Sequence, residues 1–347
     1  MSKALIAMSG GVDSSVAAAL TQRAGHECVG VTMQLFEGES GCCSLSDVED
    51  ARSVAMRLGF DHFVLNFKND FEREVISRFI SEYESGATPN PCIDCNRYIK
   101  FSALYRRAAV LECDLLVTGH YARIEKSGDR YLLKKGADLS KDQSYVLCFM
   151  TQEELARTSF PLGTLTKAEV REIAAESGFL KARKKASQDI CFVPDGDYAS
   201  FIERRTGKSY PEGDFVNVNG GVLGRHRGMI RYTVGQRKGL GLSLPEPLYV
   251  KEKDVEHNRV VLARDCELYS SAFTVRDVNW IATEAPPERF RASVRTRYKA
   301  KEAPATLTLT EGGVRVEFDE PQRAITRGQT AVFYDEDTVI GGGKIEL

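Results

Sequence analysis

No apolar run in this 347-residue chain approaches the roughly 20 residues needed to cross a bilayer, and Gly10-Gly11 arrives before a signal-peptide core can develop. That excludes a membrane partner and predicts a cytoplasmic protein. A dominant charge is missing too: 47 Lys/Arg against 49 Asp/Glu leave a net of −2, so a polyanion-binding surface requires charges segregated along the chain. Neither G-x-x-x-x-G-K-[ST] nor G-x-G-x-x-G occurs, which disfavours kinase-like and dehydrogenase chemistry. There is no internal repeat, no low-complexity segment, and no second C-x-x-C to complete a four-ligand zinc site. What remains, 42% hydrophobic and 28% charged, suffices for a sizeable core and two or three domains. Nine cysteines without a secretory signal point to reduced thiols rather than a disulfide scaffold.

The most informative segment is Ser9-Gly10-Gly11-Val12-Asp13-Ser14-Ser15, entered from the apolar run Ala4–Met8. Two glycines at a strand end allow a sharp turn and consecutive N–H groups, and the Ser14–Ala24 stretch supplies a helix N-terminus that favours anions. Phosphates of a nucleotide fit such a loop.

From Lys3 to about Thr118, short β-rich runs alternate with helical stretches: Leu5–Met8, Ser14–Ala24, Cys28–Leu35, Ser46–Leu58, His62–Phe67, Asn69–Tyr83, Lys100–Leu111 and Leu115–Thr118. The pattern predicts a mostly parallel sheet covered by helices, with ligands at the strand C-terminal ends. The glycine loop, Met33-Gln34 and Gly119-His120 all fall on that edge. A polar hairpin over Arg123–Lys134, helices near Thr151–Arg157 and Thr166–Ser177, and the run Ile190–Val193 complete this domain, with a boundary near residue 200. Glycine-punctuated short runs then predict a small β-rich middle domain. Six strands, Phe273–Trp280, Phe290–Tyr298, Ala305–Leu309, Val314–Phe318, Gln329–Tyr334 and Val339–Ile345, predict a closed barrel. The domains are thus read as 1–200, 201–268 and 269–347.

The charge is indeed segregated. Residues 1–100 hold 9 Lys/Arg against 14 Asp/Glu, whereas 204–238 hold 8 against 2, with Arg183-Lys184-Lys185 just upstream. In Arg289–Lys301, Arg289, Arg291, Arg295, Arg297, Lys299 and Lys301 share one parity and Phe290, Ala292, Val294, Thr296, Tyr298 and Ala300 the other, so a strand would separate them by face. Against a solvated barrel face stands the repulsion of six cations lacking an acidic partner. A phosphate-rich partner such as structured RNA is expected.

Pro89-Asn90-Pro91-Cys92-Ile93-Asp94-Cys95-Asn96-Arg97 is read as an ordered loop ahead of the Lys100–Leu111 helix, since prolines break helix interiors. Cys95 would sit near a helix start beside Arg97 and Lys100, features that lower a thiol's pKa. By composition alone, Cys191 in Ser187-Gln188-Asp189-Ile190-Cys191-Phe192 reads as a buried structural cysteine.

The hexapeptide Ser9–Ser14 resembles the signature of the PP-loop ATP pyrophosphatase superfamily. With Asn90-Pro91-x-x-x-Cys95-Asn96, Gly119-His120-Tyr121-Ala122, Lys141-Asp142-Gln143-Ser144, Ser187–Phe192, Gly235-Gln236-Arg237-Lys238-Gly239 and Gly341-Gly342-Gly343 following in order, the whole chain resembles the tRNA-specific 2-thiouridylases. The resemblance implies an α/β fold: an adenine nucleotide alpha hydrolase-like parallel-sheet domain, a small β-rich central domain and a C-terminal β-barrel. It implies a tRNA-uridine 2-sulfurtransferase that adenylates O2 of the wobble uridine with ATP and Mg2+ and replaces it by sulfur. The partners implied are tRNA and a sulfur donor protein or cysteine desulfurase relay. Nucleotide contacts are implied for Ala7, Met8, Ser9, Gly10, Gly11, Val12, Asp13, Ser14, Met33 and Gly119, with Asp13 nearest the metal. tRNA contacts are implied for His120, Lys141, Asp142, Gln143, Arg297, Tyr298 and Gln329.

In the family's account Cys191 takes sulfane sulfur as a persulfide, and Cys95 attacks the adenylated base or reduces the persulfide. The chain departs from many members at Cys92, where they carry Asp. Cys92, Cys95 and Cys191 together leave open a [4Fe–4S] cluster with one free iron that binds sulfide. Two other readings use the glycine loop: an amide-forming PP-loop ligase, and a non-catalytic nucleotide-gated RNA-binding module. Neither needs Cys95 with Cys191.

Overall fold

The computed structural model describes residues 2–36, 44–179 and 190–347. Arg183-Lys184-Lys185 and Ser187-Gln188-Asp189 lie outside the described residues. A five-stranded sheet forms the first layer, in the order His62–Asn66, Glu27–Gln34, Lys3–Ala7, Leu115–Val117, Thr158–Ser159. Every neighbouring pair is parallel, with Leu5 opposite Val29 on one side and Leu116 on the other. The central strand is apolar on both faces because helices cover both. Leu5 packs into one core with Phe71, Phe79 and Phe101, while Ala4 and Ile6 face a second with Val16, Ala51 and Val170. Three helices begin where the sequence places capping boxes: Ser44, Thr151 and Thr166 each accept from the backbone three residues on and are bonded in return by an acidic residue there.

Two expectations are corrected. The hairpin Ala122–Ser127/Arg130–Lys135 does not complete the parallel sheet; it joins the C-terminal sheet, Lys134 pairing with Thr338. Leu133 is fully buried, and Arg123 and Lys134 meet Asp337 at 2.5 and 3.6 Å while Lys135 meets Glu302 at 2.8 Å. Its polarity is thus a charge match to the barrel. Second, the Pro-Asn-Pro segment is no loop. Helix begins at Pro91, where the missing N–H costs nothing, and Asn90 caps it by accepting from Cys92 N at 3.2 Å. It runs on through a π-helical stretch, Cys95–Ala103, into Leu104–Val110.

Helix Tyr198–Thr206 leads to a four-stranded sheet, ordered Tyr249–Asp254, Arg259–Ala263, Gly213–Asn217, Val222–His226, around Phe215, Val250 and Leu262. Beyond it six antiparallel strands run Tyr269–Trp280, Gly313–Arg323, Ala303–Thr310, Arg289–Arg295, Thr330–Asp335, Thr338–Glu346, and the last pairs with the first, closing the barrel. Its interior is filled by Phe273, Val294, Leu307, Val316 and Phe333. No helix among the described residues is long and apolar enough to cross a membrane.

Candidate functional site

The glycine loop leaves the Lys3–Ala7 strand and enters helix Val12–Arg23. Gly10 takes φ +69°, and a Cβ there would lie 2.3 Å from Asp47 O, so only glycine fits. Ser14 Oγ accepts from Ser9 N at 3.1 Å and donates to Gly11 O at 3.0 Å, closing the loop on itself. No side chain caps the helix at Gly11, leaving its first N–H groups available to an anion. Gly119 packs on the loop's far end: a Cβ would lie 2.8 Å from Asp13 C and Ser14 N. The sequence motif around Gly119 therefore marks a close backbone approach.

A cavity of about 330 Å³ opens from this loop, a volume in the range of small-molecule sites. Its lining includes Ala7, Met8, Ser9, Asp13, Ser14, Met33, Gly119, His120 and Gln143, together with Cys92, Cys95 and Cys191. Three separate sequence segments thus bring thiols and glycine loop to one space. Gly10, Gly11 and Val12 do not line it; Gly10 and Val12 face a smaller pocket behind the loop. The Cys191 segment reaches the cavity through Ile190–Phe192, with Phe192 wedged edge-on against Phe71 and Phe79.

Sequence reasoning missed several wall residues, among them Thr32, Thr118 and Asn96, and also Lys167, which meets Asp13 from outside the wall. The Asp13 carboxylate accepts from Tyr121 OH at 2.7 Å and from Lys167 Nζ at 2.5 Å; the one available signal was Tyr121, within the Gly119–Ala122 motif. His120 is buried against Phe101 and Phe160, with Nδ1 2.6 Å from Thr118 Oγ1 and Nε2 3.4 Å from Lys100 Nζ. Burial, and then the Lys100 charge, hold its imidazole well below the ordinary range.

Asp13 is the one carboxylate on the cavity wall among the described residues. A single carboxylate beside substrate phosphates is an ordinary magnesium arrangement, so the residues fit that ion. For a cluster, the described residues show no assembled ligand set. Cys92 is exposed on the first helical turn while Cys95 and Cys191 are half-buried, and among the described residues no three His, Cys, Asp or Glu side chains converge as metal ligands.

The cationic strand is also corrected. It ends at Arg295, and two of its cations have acidic partners the strand's own sequence does not show. Arg291 is bidentate on Asp319 of the next-but-one strand, and Arg295 lies 3.6 Å from Asp142. Arg297 turns inward, donating to Val234 O at 3.1 Å, Ala324 O at 2.9 Å and Thr326 Oγ1, and burial pushes its pKa down. In 204–238, Arg205, Lys208, Arg225 and Arg231 pair with Glu72, Glu84, Asp214 and Glu203. Arg289, Lys299 and Lys301 stay exposed.

Of the side chains expected to meet tRNA, five are engaged internally. The Asp142 carboxylate accepts from Gly136 N and Ser144 N at 3.2 and 3.0 Å, Gln143 Oε1 from Tyr121 N at 3.0 Å, and Gln329 Nε2 donates to Thr88 O at 2.6 Å; Arg297 and the buried His120 are the others. Lys141 and Tyr298 are accessible. Cys92 is among the groups acting electrostatically on the Tyr298 hydroxyl, which puts that barrel loop on the thiol side of the cavity.

Fold and site define a glycine-loop α/β domain whose cavity carries thiols, with two appended β domains. A family model described as tRNA methyl transferase HUP domain matches residues 2–195, a tRNA methyl transferase PRC-barrel domain model 199–264, and an aminomethyltransferase beta-barrel domain model 270–345. The tRNA-specific 2-thiouridylase MnmA of Symbiobacterium thermophilum is 52% identical over 99% of this chain and 92% of its own length. Those of Acetivibrio thermocellus and Moorella thermoacetica are 50% and 51% identical, each over 99% of both chains. The chain belongs to the tRNA-specific 2-thiouridylase family.

Proposed function

We propose that this protein is a cytoplasmic enzyme that converts the wobble uridine of tRNA to 2-thiouridine at the expense of ATP. The observation that carries the reading is the single cavity shared by the glycine loop, Cys95 and Cys191. A carbonyl oxygen is a poor leaving group. Adenylation of O2 turns its departure into departure of AMP, and a sulfur nucleophile can then attack C2. The chemistry therefore requires an ATP loop and reactive sulfur within one bound base of each other. Methyl transfer, which the descriptions of two domain models name, does not require an ATP-cleaving loop beside a pair of thiols.

In this reading residues 1–200 form the catalytic domain, 201–268 the central domain and 269–347 the tRNA-contacting barrel. The N–H groups of Ser9–Ser14 take the β- and γ-phosphates, Met33 and Ala7-Met8 flank the adenine, and Asp13 would hold the magnesium that screens phosphate charge. Cys191 receives sulfane sulfur from a persulfide-bearing donor protein. The terminal sulfur attacks C2 as AMP leaves; the Cys95 thiolate then attacks the Cys191 sulfur, freeing the thiocarbonyl and leaving a Cys95–Cys191 disulfide. A thiol reductant resets the pair. Tyr298, on the thiol side, and the cations Lys141, Lys299 and Lys301 would meet tRNA base and phosphate.

Mass spectrometry of nucleosides from tRNA incubated with the purified protein, ATP, magnesium and a persulfide donor tests the reading. 2-Thiouridine at the wobble position is expected, with one AMP and one pyrophosphate per base. Ammonia-dependent AMP release without RNA would instead indicate an amide ligase, and nucleotide binding without turnover an RNA-binding module.

A further inference from the structure

The Cys95–Ala103 stretch is π-helical, and the Leu104 N–H that follows it still reaches back five residues to Ile99 O. An α-helix aligns residues three and four apart; the wider turn aligns residues five apart. Cys95 and Lys100 are five apart, and both line the cavity. The neighbouring cation, Arg97, is engaged elsewhere: it is bidentate on Asp277 at 2.5 and 3.2 Å and lies 4.3 Å from the centre of the Phe149 ring. No carboxylate among the described residues forms an ion pair with Lys100.

Its contact is with a neutral acceptor. An ammonium has only donors, so at 3.4 Å Lys100 Nζ donates to His120 Nε2, and His120 Nδ1–H donates to Thr118 Oγ1 at 2.6 Å. Between Thr118 and His120 sits Gly119, packed on the Asp13–Ser14 backbone. The ammonium is therefore tethered one residue from the contact with the glycine loop, with Cys95 one π turn away.

We propose that Lys100 is a catalytic residue that binds the α-phosphate of the adenylate, between the pyrophosphate site at Ser9–Ser14 and the thiols, and that His120 is the positioning residue that aims it. The inference rests on the thiolation reading above. When uridine O2 attacks, the O2–Pα bond forms and the bond from Pα to the bridging oxygen breaks, its electron pair leaving with pyrophosphate while the base N3 proton passes to solvent. When sulfur attacks C2, the C2–O2 bond breaks and its pair goes to AMP. Both steps place negative charge on the α-phosphate, where a preoriented cation in a partly enclosed cavity acts more strongly than in bulk water.

The test compares Lys100→Gln, Lys100→Arg, His120→Ala and His120→Asn in the full chain. Single-turnover pyrophosphate release with tRNA is read beside ATP affinity, thermal midpoint and the pH dependence of Cys95 alkylation followed by peptide mass spectrometry. Lys100→Gln is expected to slow release by roughly 10²–10³-fold, the usual cost of one oxyanion donor, with partial recovery in Lys100→Arg and an unmoved alkylation profile. His120→Ala should lower kcat roughly tenfold at constant KM for ATP, and His120→Asn, which keeps an acceptor, should recover it. Normal pyrophosphate release in Lys100→Gln overturns the proposal. So does normal release with loss of sulfur transfer and an alkylation profile moved to higher pH, which would assign Lys100 to the Cys95 thiolate. Absence of tRNA-dependent release from the unaltered protein refutes the thiolation reading itself, independently of any variant.

Discussion

Replacing Gly119 by alanine gives the sharpest check on the site. The added Cβ would lie 2.8 Å from Asp13 C and Ser14 N and 3.0 Å from Asp13 O, all backbone atoms of the glycine loop. Ordinary contact begins near 3.5 Å, so the loop or the Gly119 strand end must retreat by about half an ångström to an ångström. Neither side can rotate away, because the contact is backbone on backbone. Overpacking of this kind costs roughly 1–3 kcal/mol, and misplacement of about 1 Å at a reacting centre costs on the order of 100-fold in rate. Gly119→Ala should therefore remain folded, with a slightly lowered thermal midpoint, and release pyrophosphate in the presence of tRNA about 100-fold more slowly. Gly25→Ala is the control. Gly25 has a left-handed φ, +86°, which Gly119 does not, but nothing lies within 4 Å of its Cβ position, so it should lose about 1 kcal/mol of stability and no rate. A Gly119→Ala protein with the unaltered rate would refute the close approach and the placement of phosphates against Ser9–Ser14.

Cys95→Ser and Cys191→Ser should each abolish 2-thiouridine, measured by nucleoside mass spectrometry, while leaving tRNA-dependent pyrophosphate release within about twofold; normal thiolation in either variant sinks the sulfur relay. Arg297→Met strips a donor from three buried acceptors and should cost roughly 3 kcal/mol, seen as a lower thermal midpoint, yet leave the slope of log tRNA affinity against log salt unchanged. A slope reduced by about 1 would show a phosphate contact instead. Burial pushes the Lys253 ammonium down to about 7; its Nζ donates to Ala87 O at 3.0 Å and lies over the Tyr83 ring. Between that value and about 10.4 the unfolded chain holds more protons than the folded one, so stability attributable to Lys253 rises with pH across that window and is lost as pH falls through 7. Lys253→Met should accordingly be more stable than the parent at pH 6, by up to a few kcal/mol, with the advantage shrinking by pH 9; a pH-independent difference in thermal midpoint would contradict this.

The regular architecture was legible because periodicity is local. Runs such as Ala4–Met8 and Leu115–Val117 are apolar at every position, which only a sheet covered on both faces accommodates. Along the barrel strand, Phe290, Ala292 and Val294 read correctly as the inner face. What failed were inferences about partners. The Arg289–Lys301 pattern looked uncompensated because Asp319 and Asp142 lie 28 and 153 residues from the arginines they meet. The Ala122–Lys135 hairpin was assigned by its neighbours in sequence, whereas Asp337 and Glu302 draw it to the barrel. The two prolines before Cys92 were read as breakers; Pro91 instead occupies the one helical position where its lost N–H is harmless.

The amino-acid sequence by itself determined the order of α/β sheet, small β domain and barrel, the turn at Gly10-Gly11, and the presence of thiols at Cys92, Cys95 and Cys191. These follow from backbone sterics, side-chain period and residue chemistry, all of which act over a few positions. Tertiary structure alone decided that the thiols open onto the glycine loop's cavity, that they do not converge as metal ligands, that Asp13 faces Lys167 and Tyr121, and that a π turn carries Lys100 to the Cys95 face. Those outcomes depend on which distant segments share a low-dielectric space, where burial and charge act between residues far apart in the chain.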